Sequence, residues 1–317
     1  MTAAVGLLAG AAALLDNGPA FPADQRWGAD YFPNVVLTTQ DGKTVRLYED
    51  LLKGKSVAIN VIFTECTDVC PLETATLAQL RRHLGGRVGK DIFFYSISID
   101  PTRDTPEVLK AYAEKFGAGG PGWLFLTGKP EDIQLATKKL GLARAKDAVT
   151  RDGHGPTLMV GNEPTGQWMK NSALDNPAFL AARIGGFLGW KDVLPENSYA
   201  EAHKLAPDAG RYLFESRCSS CHSIGQGDKL GPDLAGVTAR RERTWLTRYI
   251  QVPDQVLAEG DPIATVLFRE YKKLRMPNLR LGTDDVSVVL SYLETQTSAV
   301  REKALKESAH QHDHAHH

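Results

Sequence analysis

Residues 57–84 read VAINVIFTECTDVCPLETATLAQLRRHL, and this stretch decides the fold of the first half of the chain. Its apolar run, 57–63, is typical of a strand buried in the centre of a sheet. Pro71 follows a short turn, and proline is favoured at the first position of a helix. The leucines of that helix share one face: Leu77, Leu80 and Leu84. The stretch therefore predicts a strand, a turn with two cysteines and a helix, as in an α/β domain.

The residues that follow continue this alternation of short apolar runs and amphipathic stretches. Thr105 is the expected cap of a helix that starts at Pro106. The apolar stripe predicted for that helix consists of Val108, Leu109, Tyr112 and Phe116. The other predicted elements are strands at 92–99 and 123–126, a helix at 131–140, and a hairpin of 157–160 with 167–169. Their order resembles a thioredoxin fold.

The length and composition favour two soluble domains. The chain has 317 residues, about twice the length of a usual domain. Hydrophobic residues make up 42% and charged residues 24%, which is ordinary for globular proteins. With 37 basic and 38 acidic residues the net charge is -1, so no basic field is available to attract nucleic acid. Nucleic acid is therefore not an expected partner.

Five segments are predicted along the chain. The first, 1–23, has an apolar run that resembles that of a signal peptide and is shorter than the ~20 residues of a spanning helix. Because it lacks the basic start of a signal, it is predicted as either a signal peptide or an uncleaved N-terminal anchor. The others are an α/β domain at 28–190, a turn-rich linker at 191–205, a helical domain at 206–299 and a histidine-rich tail at 300–317. We expect an exported, periplasmic protein, either cleaved or anchored to the inner membrane.

The segment Cys218-Ser219-Ser220-Cys221-His222 is the attachment pattern of haem c. Two thiols three residues apart add to the vinyl groups of a haem, and the adjacent imidazole becomes an axial ligand of the iron. No second CxxC lies nearby to complete a zinc site. The motif predicts one covalent haem on Cys218 and Cys221, with His222 as an axial ligand.

The helical half resembles class I cytochromes c over residues 207–297. After the attachment motif, the segment Gly231-Pro232-Asp233-Leu234 is similar to the turn that lies beside the proximal ligand in that family. The resemblance implies that Pro232 braces His222.

The second axial ligand is expected further along the chain. Met276, followed by Pro277, is the only methionine of this half and resembles the Met-Pro loop of the same family. A thioether ligand raises the potential of the haem, which suits electron transfer. The alternative is that Met276 is a core residue and that His203, or no residue, takes the sixth position.

Cys66 and Cys70 lie in the turn between the predicted strand and helix. The helix N-terminus favours thiolate there, and the CxxxC spacing leaves room for a metal between the sulfurs. Soft thiolates select cuprous ion, and a neutral imidazole from elsewhere would complete a site of three ligands. The two thiols can also close to a disulfide. A structural disulfide and a zinc site are the alternative interpretations.

The first half resembles the Sco (SenC) family of copper-binding thioredoxin-like proteins, which take part in cytochrome c oxidase assembly. The resemblance covers most of 32–188. It rests on Asp41-Gly42-Lys43, on the cysteine box at 66–71, and on the run SIDPTRDTPEVLK at 98–110. It implies that copper is a cofactor and that Cys66, Cys70 and His154 are its ligands.

Two departures from that family's pattern bear on the site. Thr67 stands where proline is usual, which changes the stiffness and redox poise of the loop. His154 lies in Asp152-Gly153-His154-Gly155-Pro156, with an extra glycine before the histidine, and Pro156-Thr157 resembles the cis-proline turn of thioredoxin. His154 is still the preferred ligand, because the other histidine of this half, His83, is expected to face solvent from a helix.

The chain ends in a low-complexity stretch that is rich in histidine. Its histidines are His310, His312, His314, His316 and His317. They predict weak binding of copper, nickel or zinc and a role in gathering copper. A purification tag is the alternative, although tags are usually unbroken runs.

These observations predict an α/β thioredoxin-like domain followed by an all-α cytochrome c domain. The leading hypothesis is a copper chaperone that passes copper or reducing equivalents to the copper-site subunit of a respiratory oxidase, or to another periplasmic redox protein. The tethered haem would be its electron partner. The alternative is a thiol-disulfide oxidoreductase with Cys66 and Cys70 as catalytic thiols. A third hypothesis is that the first half only docks the cytochrome on its redox partner.

Overall fold

The computed structural model describes residues 27–143, 155–190 and 208–314, with side chains as far as residue 306. Within these ranges the first half is an α/β domain and the second half is helical, which confirms the predicted fold class. The predicted N-terminal segment, 1–23, and the predicted linker, 191–205, lie outside the described residues. Among the helices in these ranges, none is both long enough and apolar enough to span a bilayer.

The strands described in the first half form one seven-stranded sheet in the order β2-β1-β5-β4-β3-β6-β7. The strands are β1 (Val36–Thr39), β2 (Thr44–Arg46), β3 (Ser56–Ile62), β4 (Phe93–Ser98), β5 (Trp123–Gly128), β6 (Thr157–Asn162) and β7 (Gln167–Ser172). Strand β3 is parallel to β4 and antiparallel to β6, and it is buried from Val57 onward. This confirms the predicted central strand. Strands β6 and β7 pair antiparallel, as predicted for the hairpin.

Four α-helices described in the first half pack on this sheet. They are α1 (Cys70–Leu84), α2 (Pro106–Lys115), α3 (Pro130–Lys139) and α4 (Pro177–Phe187). The Thr105 side chain accepts a hydrogen bond from the Val108 N–H, so it is the predicted cap of α2. Val108 itself is 39% exposed, so its assignment to the apolar stripe is wrong. It lies about 100° around the helix axis from the buried Leu109, at the flank of the face that meets the sheet.

The core of the first half lies on both faces of the sheet. On one face, the predicted leucine stripe of α1 is buried with Phe94, Trp123 and Phe125. On the other face, Leu37 and Tyr95 pack against Ile133 of α3. Because helices or loops cover both faces, the central strands β3 and β4 are buried on both sides rather than alternating between buried and exposed residues.

The helical half is built around the N-terminal part of one long helix. Its helices are α5 (Ala209–Leu213), α6 (Val237–Arg240), α7 (Arg243–Gln251), α8 (Pro253–Ala258), α9 (Pro262–Glu270) and α10 (Thr283–His314). Val286, Val289 and Leu293 of α10 are buried with Phe214 and Leu246. Helix α10 continues through the predicted boundary at 299/300, because the residues there are strong helix formers and Lys306 pairs with Glu302 one turn away (2.6 Å).

Candidate functional site

Cys66 and Cys70 lie where strand β3 leads into helix α1. Cys66 is in the loop after β3, and Cys70 is the first residue of α1. Both side chains are buried, with exposures of 4% and 0%, and they pack with Phe63 and Ile99. The two thiols therefore occupy the predicted junction of strand and helix, in an apolar pocket.

The Cys70 thiol holds its proton more tightly than an ordinary cysteine. A hydrogen bond with the Cys66 sulfur and the burial of the side chain raise the pKa of Cys70, and the negative charge of the buried Glu73 adds to the effect. These effects outweigh the helix N-terminus, which on its own would favour the thiolate predicted from the sequence. Binding of a metal by this thiol must therefore displace a proton.

Asp104 ties the thiol loop to the sheet, and sequence reasoning did not assign it to the site. Its carboxylate is 1% exposed and accepts hydrogen bonds from the Thr64 N–H (3.2 Å), the Thr64 hydroxyl (2.6 Å) and the Ser98 hydroxyl (2.5 Å). Burial raises the pKa of Asp104, although these hydrogen bonds oppose the shift. The only signal in the sequence for a role of Asp104 was its position in the run at 98–110, which resembles the Sco family.

Tyr112 supports the same site from helix α2. Its hydroxyl donates a hydrogen bond to the Cys70 carbonyl (3.3 Å) and lies 3.0 Å from the Thr74 hydroxyl. Burial is the main cause that raises the pKa of Tyr112 well above its ordinary value. The first turn of α1 is thus held by a neutral phenol that sequence patterning assigned only to the core.

His154 lies outside the described residues, so its role as a ligand stays a prediction. The described chain resumes at Gly155 and enters β6, which pairs antiparallel with β3. Continuing the register of that pair sets Pro156 level with Ile62, at the end of β3 that leads to the thiols. The segment that follows His154 therefore enters the sheet beside the thiol loop.

The predicted cis-proline turn is wrong. No cis peptide bond occurs within the described ranges, so the bond before Pro156 is trans. Pro156 directly precedes β6, and its carbonyl accepts a hydrogen bond from the Ala173 N–H (2.8 Å), which fits an extended entry into the sheet. The other histidine of this half, His83, is exposed on α1, as predicted.

The helical half holds an apolar cavity of about 200 Å³ that opens to solvent. Cys218, Cys221, His222 and Met276 all line it. Its apolar walls include Leu234, Leu246, Phe268, Leu281, Leu290 and Leu293. Two thiols, an imidazole and a thioether on apolar walls form the donor set of a covalently bound haem, so the residues present fit that group.

The His222 ring is held in one orientation. Its Nδ1 lies 2.8 Å from the Pro232 carbonyl, so Nε2 is the nitrogen left for a metal. Burial lowers the pKa of His222, which favours the neutral imidazole, although the bond to Pro232 opposes the shift. Gly231 lies against the ring so closely that a Cβ at this position would be 2.6 Å from Cε1.

Asp233 organises the loop between His222 and Pro232. Its carboxylate accepts hydrogen bonds from the N–H groups of Gly225 (2.8 Å), Gly227 (2.6 Å) and Ala235 (2.8 Å), and from the Ser223 hydroxyl (2.8 Å). Burial opposes ionisation, but these bonds prevail and lower the pKa of Asp233 to about 2. The loop that orients His222 is therefore closed around an anion.

We expect Asp233→Asn to lower the free energy of unfolding by about 1–2 kcal/mol at pH 7, because an amide cannot replace all the bonds of the carboxylate. The folded-state pKa is depressed from 3.8 to about 2, so this contribution is present above about pH 4 and is lost as the pH falls toward 2. Urea unfolding at several pH values measures it.

The matched control is Glu259→Gln, which removes the same charge from an exposed pair with Arg248. Its effect should stay within about 0.5 kcal/mol at every pH. Equal effects of the two substitutions at pH 7 would contradict the role given to Asp233.

Met276 lies on a segment that is fixed from several sides. Pro277 is buried, and the Asn278 amide donates a hydrogen bond to the Asp254 carboxylate (3.0 Å). Before the methionine, the Tyr271 hydroxyl donates to Asp228 (2.8 Å). Met276 thus faces the cavity from a held loop. Its role as a ligand stays a prediction, and the alternative ligand, His203, lies outside the described residues.

Residues of the first half complete the wall of the cavity. Pro71 at the start of α1 and Phe116 at the end of α2 both line it. Behind them the Thr76 hydroxyl lies 3.2 Å from that of Ser220, and the Gln79 amide donates to the Ser219 carbonyl (3.3 Å). Sequence reasoning did not detect this contact, because no local pattern signals a meeting of residues some 140 positions apart.

Comparison with known families identifies two matches. A model described as SCO1/SenC matches residues 24–161, and a model described as cytochrome c matches residues 207–297. The two matches do not overlap, and they follow each other in the order of the two halves.

Known relatives resemble the first half. A SCO1 protein homolog of Bacillus subtilis is 38% identical over 93 residues, which cover 29% of this chain and 47% of that protein. An SCO2-like protein of Rickettsia felis is 32% identical over 147 residues, which cover 44% of this chain and 68% of that protein. The chain thus spans about half the length of the first relative and two thirds of the second. A solved SCO1/SenC family lipoprotein of Bacillus anthracis is 29% identical, with a TM-score of 0.41, and the match covers 53% of this chain and 96% of that one.

Proposed function

The chain belongs to the SCO1/SenC family and carries a cytochrome c domain as well, and on this premise we propose that it is a copper-handling redox protein. Copper is its cargo, and the copper centre of a respiratory oxidase is the proposed destination. The observation that carries the proposal is the pair of buried thiols, Cys66 and Cys70, next to Pro71, which lines the cavity of the haem ligands.

Cys66, Cys70 and His154 are the proposed copper ligands. Two thiolates and one neutral imidazole form a soft site with few ligands, which selects Cu(I) over harder ions. The raised pKa of Cys70 means that loading releases a proton, and the apolar pocket keeps water from the bound metal. Asp104 and Tyr112 hold the loop and the first turn of α1 in place around it.

Cys218 and Cys221 are the proposed covalent attachment points of one haem c, which supplies one-electron transfer when bound. His222 and Met276 are the proposed axial ligands. The Pro232 carbonyl orients the imidazole, and the apolar walls of the cavity exclude water. If His222 and Met276 both hold the iron, this half would transfer electrons rather than bind external ligands.

The proposed partners are the copper-site subunit of a respiratory oxidase and other extracytoplasmic redox proteins. Membership of the family supports this destination. Export is proposed from residues 1–23, whether they are cleaved or act as an anchor. The tail histidines, whose side chains lie outside the described residues, are proposed to gather copper for the thiol site.

A thiol-disulfide oxidoreductase is the second candidate, and one observation favours it. Cys66 and Cys70 are buried in the same small cluster, and two thiols placed together in this way can close to a disulfide. In that case the thiols would react with a partner's cysteines, and the protein would work without copper.

The deciding measurement is the stoichiometry and affinity of Cu(I) on the full-length, haem-loaded protein with its five tail histidines replaced by asparagine. We expect one tightly bound Cu(I) per chain, measured by competition with a chromophoric Cu(I) chelator. If the thiols are shown to be reduced and no tight Cu(I) is bound, copper handling is wrong and the oxidoreductase becomes the working function.

A further inference from the structure

Two loops from different halves of the chain meet beside the thiol site. The Asn278 N–H donates a hydrogen bond to the Thr67 carbonyl (3.0 Å), and Arg280 Nη2 lies 2.7 Å from Asp68 Oδ2. Thr67 and Asp68 stand between the two thiols in sequence. We call these four residues the loop junction.

On its cytochrome side, the loop junction belongs to the segment that carries Met276. Asn278 is anchored through its amide to Asp254, and Arg280 has a φ of 53°, in the left-handed region that is costly for a residue with a Cβ. Such a conformation persists only where the surroundings enforce it. The segment is therefore held at Asn278 and strained at Arg280, and Asn278 lies two residues from Met276.

On its other side, the loop junction belongs to a loop that is tied at both ends. Thr64 is held by Asp104 (2.6 Å), and Cys70 begins helix α1. Helix α1 itself contacts the other half through Thr76 and Gln79. Because α1 fixes the two halves against each other, the backbone between the thiols is the part left to change shape when the state of the sulfurs changes.

We propose that the loop junction couples the state of the Cys66–Cys70 pair to the axial side of the cytochrome site, with Asp68 and Arg280 as positioning residues. Joining the two sulfurs or placing a metal between them changes their separation and thus reshapes the backbone at Thr67 and Asp68. Asn278 and Arg280 transmit that change to the Met276 segment. The coupling rests on the proposed function for the bound haem and for the role of Met276 as an axial ligand.

Thermodynamic linkage requires the coupling between the thiol pair and the cytochrome site to act in both directions. If the state of the thiols changes the equilibrium at the cytochrome site by a given factor, the state of the cytochrome site changes the equilibrium at the thiols by the same factor. The Asp68–Arg280 pair is mostly exposed, at 39% and 79%, so alone it is weak and screened by salt. We therefore expect a coupling at the lower end of the usual range, about fivefold.

The test uses the full-length, haem-loaded protein without copper, with its thiols either reduced or closed to a disulfide. Oxidised glutathione closes the bond: the two cysteines lose two electrons and two protons, and glutathione disulfide is reduced to two thiols. The readouts are the ferric-to-ferrous ratio at a fixed solution potential and the Met–iron charge-transfer absorption. Between the two thiol states, the ratio in the parent should change by about fivefold.

Substitutions at Asp68 and Arg280 test whether this ion pair carries the coupling or whether the closeness of the thiols and the haem is enough. Arg280→Asp should reduce the change to less than about twofold, Arg280→Lys should preserve most of it, and the charge swap of Asp68→Arg with Arg280→Asp should restore it. The matched control is Arg211→Asp, which breaks the pair of Arg211 on α5 with Glu215 and should leave the parent response intact.

Two results would overturn the proposal: a parent whose haem signals ignore the thiol state, or an Arg280→Asp variant that responds as the parent does. An absence of Cu(I) binding would refute the copper function but not this coupling, because the disulfide arm needs no copper. Absence of the Met–iron absorption in both thiol states of the parent would overturn it as well, because Met276 would then not be an axial ligand.

Discussion

Cys66→Ser is expected to abolish tight Cu(I) binding, with a loss of affinity of at least about 100-fold. Changes to groups that merely support a metal ligand cost 10- to 100-fold in many sites, and here one of three proposed ligands is itself removed. A serine hydroxyl is hard and stays protonated, so it cannot replace a thiolate toward Cu(I). Cys66 is 4% exposed, so the size of its replacement matters, and serine has nearly the same shape as cysteine and fits the same space. Chelator competition on the haem-loaded protein without tail histidines measures the loss.

Two histidine substitutions place this result in context. His154→Ala should produce a comparable loss, whereas His83→Ala, on the exposed side of α1, should bind Cu(I) as the parent does. Thermal unfolding of each variant checks that the domain is folded. Retention of parent affinity by Cys66→Ser would exclude the thiol pair as the copper site.

Gly231→Val is expected to displace His222 and to convert most of the haem from low-spin to high-spin iron. A Cβ at this position would lie 2.6 Å from His222 Cε1 and 3.0 Å from Nδ1, closer than such atoms can approach. The glycine cannot swing away, since its N–H donates to the Cys221 carbonyl (2.9 Å) and its carbonyl accepts from Lys229 N–H (3.0 Å). Absorption and electron paramagnetic resonance spectra of the ferric protein measure the spin state.

Gly282→Ala is the matched control in the same half. A Cβ there meets only the flexible Asp285 carboxylate at 3.5 Å, which is an ordinary contact. Its spectra should be those of the parent, and both proteins should keep covalent haem, because the attachment cysteines are unchanged. A fully low-spin Gly231→Val protein would show that the ring is not held against this glycine.

Much of the fold could be predicted because its signals are local. The apolar run that forms β3, the proline that opens α1 and the Thr105 cap of α2 each act within a few residues. Cys218, Cys221 and His222 likewise lie within five consecutive residues, so their spacing can be read directly from the sequence. The predicted bounds of β3 and the predicted starts of α1 and α2 were confirmed within one residue, because backbone preference and hydrophobic periodicity do not depend on distant contacts.

The errors concern properties that depend on burial. The helix N-terminus predicted a thiolate at Cys70, but the neighbouring sulfur and the loss of solvent raise the pKa of this thiol. Val108 was assigned to the core, but it lies on the flank of α2. The cis-proline interpretation of Pro156 failed because a dipeptide pattern does not specify the strand pairing around it.

The sequence by itself determined the two fold classes, their order and the cysteine, histidine and methionine residues of the candidate sites. Only the tertiary structure decided that Asp104 and Tyr112 brace the thiol loop, that Pro71 completes the cavity lined by Met276, and that Arg280 reaches Asp68. These contacts join residues about 40 to more than 200 positions apart. Their geometry arises only when both halves have packed, since local preferences carry no information about which distant surfaces meet.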